Sequence, residues 1–383
     1  MAAKIPHVVI LGGGFGGLAA ATEIRRRVPP SHIRITVIDR RDWFMVGFAK
    51  LWIIRGTRTF EDSANSLHAL RRNGVEFVQA EIEGIDLARR VVRTSEGRFE
   101  YDFVVLAMGA RLAPEKVPGL AENGLNLYDH RHLDRIRRSL LEIRSGRVAI
   151  GIMSLPYKCP PAPFEAGLLV RSLLRETGRS GMVEVEVYSP APLTLPVAGP
   201  AVSQKVLAML QREDIKFHPS SRVVRVRPRT MEFERGRAEF DLLLAVPPHT
   251  APSVVYDAGL AEGDGFVRIG RDCKISEGVY AVGDITNMPA GPAMAVPKAG
   301  AFAEGQGLTV ARDIIASVNL LPEENIFDGR GACFIESGRD TAALVEVDMF
   351  SGQGPATNLT DATAGHLDEK ARFESERVRR WLG

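Results

Sequence analysis

An α/β fold of two Rossmann-like domains with a C-terminal segment is what this 383-residue sequence predicts. Three observations carry the prediction. The apolar run Val8-Val9-Ile10-Leu11 leads into Gly12-Gly13-Gly14-Phe15-Gly16-Gly17 and then into a helix-forming stretch from Leu18; such continuous apolar runs are strands buried on both faces of a parallel sheet. Two more runs of this kind end in Ala107-Met108-Gly109 and in Gly283-Asp284. A second strand–loop–helix–strand frame opens at Gly146. At about 150 residues per domain, the length allows two or three. The first domain reads as split, 1–112 plus 246–320, around a second of 113–245, with 321–383 as the C-terminal segment.

In chain order, Gly12, Gly14 and Gly17 fit G-x-G-x-x-G at a strand-to-helix turn. The first glycine permits the tight turn, the second lets a pyrophosphate approach the backbone, and the third lets helix and strand pack closely. Phe15 lies within the motif, at the helix N-terminus whose free N–H groups suit phosphate. The next strand, Ile33-Arg34-Ile35-Thr36-Val37-Ile38, ends in Asp39, at the distance (about 20 residues past the glycines) where a carboxylate accepts ribose hydroxyls. Arg40, directly after it, is a candidate to lie against the adenosine, whereas Arg34 and Arg41 read as surface residues. The strand from Tyr101 ends with Ala107 and Gly109, where the chain must cross close to a bound nucleotide. The strand from Gly278 ends in Gly283 and Asp284. Asp284 is either a ligand-facing carboxylate or a helix cap.

Composition excludes several classes. With 45% hydrophobic and 25% charged residues, the chain is neither disordered nor a collagen-like repeat. Forty-nine basic against forty-seven acidic residues leave a net charge of +2, which makes no case for nucleic acid. Three cysteines cannot build a disulfide scaffold and fit a reducing compartment. No apolar run approaches the roughly 18 residues of a spanning helix. The expected location is cytoplasmic, with room for peripheral contact at the inner face of a membrane. No metal-ligand spacing stands out.

The second half departs from a nicotinamide site. After the strand at Gly146-Arg147-Val148-Ala149-Ile150-Gly151-Ile152, the loop has no glycine and carries Pro156, Pro160, Pro161 and Pro163. Proline lacks an N–H and fixes φ, so this loop cannot cradle a pyrophosphate. A helix from about 164 to 175 and a strand over 182–188 still follow. The loop instead presents Cys159 beside Lys158 on a helix-initiating turn, where a thiol is expected to have a lowered pKa. Glu165, in the first helical turn, is a proton acceptor near that sulfur or a favourable helix-start charge. Cys333 is the second thiol of interest, and whether the two meet is not legible from their spacing. Cys273 has no special neighbours and reads as a small buried hydrophobe.

The segments at Gly12, Gly109 and Asp284 resemble the signatures of two-dinucleotide-binding-domain flavoproteins, which implies FAD and gives Asp284 a ribityl hydroxyl to bind. Lys158-Cys159-Pro160-Pro161-Ala162-Pro163-Phe164-Glu165, Val246-Pro247-Pro248-His249, Pro297-Lys298-Ala299-Gly300 and Cys333 together resemble the sulfide:quinone oxidoreductase and flavocytochrome c sulfide dehydrogenase family. The resemblance covers about residues 5–350. It implies that Cys159 is the thiolate nearer the flavin, that Cys333 is its partner, and that the helix begun by Pro297 and Lys298 faces the flavin pyrimidine. It further implies oxidation of sulfide to polysulfide, with a quinone or a cytochrome as acceptor. The segment after Asp39 has no cysteine, so FAD is expected to be non-covalent. No third cysteine lies between Gly109 and Cys159. His130 and His132 fall where members place histidines, though no motif fixes them. A homo-oligomer is expected. The alternatives are an NADH:quinone or NADH:disulfide reductase and a non-catalytic flavin redox sensor. The terminal helix, densely charged from Leu367, offers Leu367, Ala371, Val378, Trp381 and Leu382 as a thin apolar face; it reads as a docking or solvated helix rather than a membrane anchor.

Overall fold

The structure is a computed structural model and describes residues 4–261, 265–291, 294–319, 325–352 and 354–383. Strand β1 (His7–Leu11) has no exposed apolar side chain, and the chain turns through its glycines into helix α1 (Phe15–Arg27). Arg25, Arg26 and Arg27 close α1, where cations suit the helix dipole. Strand β2 (Arg34–Asp39) then pairs parallel to β1. Helix α2 (Ala49–Arg55) leaves this unit, and β3 (Glu76–Gln79) and β4 (Phe103–Leu106) return to the same sheet.

The second unit follows: β5 (Leu125–Asn126), β6 (Gly146–Ile152), helix α3 (Ala162–Glu176), β7 (Val183–Tyr188), β8 (Ile215–His218) and β9 (Leu242–Val246). They form a parallel sheet in the order β5-β9-β6-β7-β8. The chain then returns to the first sheet with β10 (Lys274–Ser276) and β11 (Val279–Ala281), completing the order β10-β11-β4-β1-β2-β3. Helix α4 (Gly300–Asn319) packs across α1 through glycines: a Cβ on Gly307 would lie 2.3 Å from the Gly16 carbonyl oxygen. The sequence expected this helix to open at Pro297, but regular bonding begins with Ala303 N–H to the Ala299 carbonyl, because the Lys298 carbonyl is taken by Cys159.

The C-terminal segment is an antiparallel sheet of β12 (Arg330–Glu336), β13 (Ala342–Asp348) and β14 (Ala356–Leu359), followed by helix α5 (Ala364–Leu382). The expected boundary at 320 and 321 lies outside the described residues. Two large apolar cores result. One joins the first sheet, α1 and α4 with Trp381 and Leu382; the other joins α2, α3 and the second sheet with Ile335, Ala343 and Val345. The terminal segment thus contributes to both.

Helix α5 does dock, through Trp381 and Leu382 of the face read from the sequence but not through the rest of that face. Its buried residues are Lys370, Glu374, Trp381 and Leu382, while Leu367, Ala371 and Val378 are only half-buried. Burying two ionisable groups is possible because partners wait for both: Glu165 and Glu336 for Lys370, and Arg58 for Glu374.

Candidate active site

The glycine turn is held open by backbone. A Cβ on Gly12, where φ is +116°, would sit 2.4 Å from the Ala107 carbonyl oxygen, and one on Gly17 would sit 2.0 Å from that of Gly12. Gly14, by contrast, faces nothing within 4 Å. That open face lies beside the α1 N-terminus, the geometry a pyrophosphate requires. Asp39 is buried, and its carboxylate accepts the N–H of Gly13 at 2.8 Å and of Arg41 at 2.9 Å. Arg40 is exposed, and its carbonyl accepts from Gln79. The Phe15 ring packs edge-on against Phe44 and Trp381, so its side chain serves the α5 contact. Gly109 takes a left-handed φ of +66° with open space around it, and Ala107 is buried in front of Gly12.

Across this opening, Gly283 donates to the Gln306 side chain at 2.6 Å and presents Asp284. The Asp284 carboxylate makes no hydrogen bond among the described residues. Burial pushes its pKa up, against the pull of Lys158 and Lys298. Tyr128 Oη, His249 Nε2 and Thr250 Oγ1 are likewise buried without partners. Buried polar groups in native proteins are almost always bonded, so these unsatisfied atoms, with Tyr128 packed on His249 and near enough to Asp284 to feel its charge, fit a polar ligand there. The residues present fit a flavin dinucleotide.

Lys298 is not a surface cation. It is 6% exposed, and its Nζ donates to the carbonyls of Asp284 at 2.8 Å and Thr286 at 2.9 Å, above the Phe266 ring. Its own carbonyl accepts the Cys159 N–H at 2.6 Å. One residue therefore ties the Asp284 turn to the sulfur loop. Pro297, half-buried, precedes it.

Cys159 adopts φ of +52°, a conformation uncommon for a residue with a side chain and often kept at functional sites. Its carbonyl accepts from Ala162 at the start of α3, and Tyr157 Oη donates to the Pro160 carbonyl at 2.9 Å. Cys333 stands opposite Val345 on β12. Both thiols are free and partly buried, and Cys333 and Glu165 are close enough for their charges to act on Cys159. The expectation of a lowered Cys159 pKa is overturned. Burial drives it well above the ordinary thiol value, with Cys333, Glu165 and Asp284 pushing the same way and the Ala162 N–H opposing. Burial and the Glu165 charge likewise push Cys333 to about 12. Cys273 is fully buried in the first core.

Glu165 is 1% exposed and forms an ion pair with Lys370, which is 0% exposed and also bonds Glu336 at 2.7 Å. Trp52 Nε1 completes the network, donating to Glu336 at 2.9 Å. Neither of the two readings offered for Glu165 anticipated Lys370 and Glu336; no periodicity marks a lysine that will be buried. His132 accepts the Asn126 N–H at 2.8 Å, a structural role, and His130 packs on Trp43 and Phe60. Lys158 was read from the sequence as the neighbour of Cys159, whereas Lys50, near enough for its charge to interact with Cys159, was not. Among the described residues no group of three metal-ligating side chains converges, and no helix is long and apolar enough to cross a membrane.

Fold and site together define a dinucleotide-dependent oxidoreductase. The model of the family described as pyridine nucleotide-disulphide oxidoreductase matches residues 6–307, and the chain belongs to that family. The mouse mitochondrial sulfide:quinone oxidoreductase is 23% identical over 363 residues, covering 89% of this chain and 78% of its own. The sulfide-quinone reductase of Aquifex aeolicus is 26% identical over 356 residues, covering 87% and 82%. The crystal structure of the Aquifex aeolicus sulfide:quinone oxidoreductase superposes with a TM-score of 0.88 at 24% identity, over 97% of this chain and 90% of that one. These relatives agree with the family resemblance drawn from the sequence, and that structure has the same fold.

Proposed function

We propose that this protein oxidises sulfide to polysulfide sulfur at Cys159 and Cys333, with FAD bound non-covalently and a quinone as acceptor. What supports the reading is that Cys159, bonded through its N–H to the Lys298 carbonyl, is near enough to Cys333 and Asp284, from distant segments, for their charges to act on it. Gly12, Gly14, Gly17 and the α1 N–H groups would hold the pyrophosphate, Asp39 a ribose, and Asp284 the ribityl chain. Ala107 and Gly109 leave room where the chain crosses the nucleotide. When bound, the flavin supplies a two-electron acceptor for sulfur and a donor to quinone.

The protein's own groups do the rest. Thiol–disulfide exchange requires a thiolate attacking a sulfur–sulfur bond, and two neighbouring cysteines would hold a sulfur chain between them. Their raised pKa values keep each in the thiol form until a bond is exchanged, so the released thiolate is a strong nucleophile. Lys298 and the α4 N-terminus place positive charge where negative charge would develop. Glu165, paired with Lys370, keeps the Cys333 strand and α3 in register beside the thiols. The proline loop before α3 offers no pyrophosphate cradle, which disfavours NADH as the reductant. Location at a membrane surface and self-association belong to the same reading.

Anaerobic titration of the flavin-loaded protein with sulfide and, separately, with NADH tests this. Sulfide is expected to bleach the flavin and a short-chain ubiquinone to restore it. Bleaching by NADH and not by sulfide would sink the reading in favour of an NADH-dependent reductase; restoration by a cytochrome c and not by quinone would change the acceptor alone.

A further inference from the structure

The turn that carries Cys159 has little backbone of its own to hold it. Pro160, Pro161 and Pro163 have no N–H to give. The helix donors that could reach the Pro160 carbonyl, the N–H groups of Phe164 and Glu165, go instead to the Pro161 carbonyl, each at 3.1 Å. A side chain takes their place: Tyr157 Oη donates to the Pro160 carbonyl at 2.9 Å. That bond closes a ring of chain over Lys158 and Cys159, the residue whose φ is +52°. A residue with a side chain keeps the left-handed region only where its surroundings over-determine it. Here the Cys159 N–H is tied to the Lys298 carbonyl, its own carbonyl accepts from Ala162, and the next carbonyl along is pinned by Tyr157. Tyr157 is buried in the second core, against which Cys159 and Cys333 both pack. Burial, with the charge of Cys159, pushes its hydroxyl pKa up, so it stays a donor at any pH where the protein works.

We infer that Tyr157 is a positioning residue for Cys159: its hydroxyl, by pinning the Pro160 carbonyl, holds the left-handed turn that keeps the thiol packed on the core it shares with Cys333. The inference deepens the sulfide-oxidising reading and rests on it for the consequence in turnover. The ring fills core volume that phenylalanine would fill equally, so the role belongs to one oxygen atom. Without that oxygen the turn can relax toward negative φ, and the thiol swings away from its packing and gains water. Burial is the main cause of the raised Cys159 pKa, so a thiol that gains water returns toward the ordinary value. It becomes more thiolate near neutrality and more open to a small alkylating reagent. The same movement places it worse for sharing a sulfur chain with Cys333. Removing one hydroxyl should therefore raise the intrinsic reactivity of Cys159 and lower turnover.

Tyr157→Phe tests it, in the flavin-loaded protein beside the parent. Labelling of each cysteine by iodoacetamide near neutral pH is read by peptide mass spectrometry, and flavin reduction by sulfide is followed anaerobically. Cys159 is expected to label about 10-fold faster in the variant, with Cys273 labelling and flavin content unchanged. The saturating rate of reduction by sulfide should fall about 10-fold, or about 1.4 kcal/mol, with the half-saturating sulfide concentration little altered. A merely structural role would instead expose Cys273, buried in the first core, together with Cys159. Parental Cys159 labelling, Cys273 labelling that rises in step, loss of flavin, or faster Cys159 labelling with a parental sulfide rate would each overturn the inference. Faster Cys159 labelling in a protein that sulfide reduces in neither form would retain the role of Tyr157 and discard the sulfide reading. Parental labelling with sulfide reduction intact in both forms would do the reverse.

Discussion

Cys159 is the residue on which backbone, charge and chemistry meet. Its left-handed φ and its N–H bond to the Lys298 carbonyl fix the thiol against the Asp284 turn. Replacing it with Ala keeps the backbone and removes only sulfur, so flavin content should hold while anaerobic reduction by sulfide falls at least about 100-fold. Cys333→Ala should do the same, and either variant reducing at the parent rate would refute the dithiol reading. Residue type and neighbouring prolines marked Cys159 in the sequence. Its pKa was misread because a helix N-terminus and an adjacent lysine are local, whereas the burial that outweighs them is tertiary. A second residue-scale prediction lies away from the site. Burial works against the charge of Glu186, but the close His218 ring, a hydrogen bond from Tyr188 and the charge of Arg147 hold it at about 2. The folded pKa is below the unfolded one, so the stabilisation is present above about pH 4.5 and is lost as pH falls through about 2, and it amounts to about 3 kcal/mol. Glu186→Gln should flatten that acid limb in urea titrations between about pH 5 and pH 2.

At the scale of elements, α5 decides whether the site is assembled. Lys370 reaches from it to Glu165 on α3 and Glu336 on β12, joining the helix behind Cys159 to the strand that bears Cys333. Lys370→Met fits the volume but leaves two buried carboxylates without a cation, which costs about 3–5 kcal/mol. In that variant Glu165 would hold its proton more tightly folded than unfolded, so the deficit should be large near pH 8 and shrink near pH 5. Denaturant midpoints at the two pH values measure it, and an equal deficit at both would show that lost packing, not charge, is responsible. The elements themselves were largely legible. β1, α1, β2, β6, α3 and β7 announce themselves by apolar runs, glycines and prolines, because local pattern and burial coincide there. The buried face of α5 was legible only at Trp381 and Leu382, since a lysine and a glutamate become core residues only when carboxylates and an arginine from other segments come to meet them.

The whole molecule couples these elements through two cores that share the terminal segment. Trp381 and Leu382 belong to the core of the first sheet, while Ile335, Ala343 and Val345 belong to that of the second. Phe15, inside the glycine motif, packs on Phe44, Phe373 and Trp381, so the dinucleotide turn and α5 share one aromatic cluster. Ending the chain before Ala364 would therefore strip the aromatic cover from the glycine turn and unpair Glu165 and Glu336 in one step. The sheets should survive, because each keeps its strands and its helices, but the cradle should loosen. Far-ultraviolet circular dichroism of the truncated protein is expected to lose little more than the helix itself. Its flavin affinity should fall at least about 10-fold, or about 1.4 kcal/mol. In the full-length protein, free FAD at 100 times its Kd adds about 2.7 kcal/mol by mass action, and its thermal midpoint should rise accordingly. In the truncated form the same FAD concentration should produce a clearly smaller rise. Equal rises in both would mean that α5 covers the glycine turn without shaping it, and that the coupling through Phe15 carries no energy.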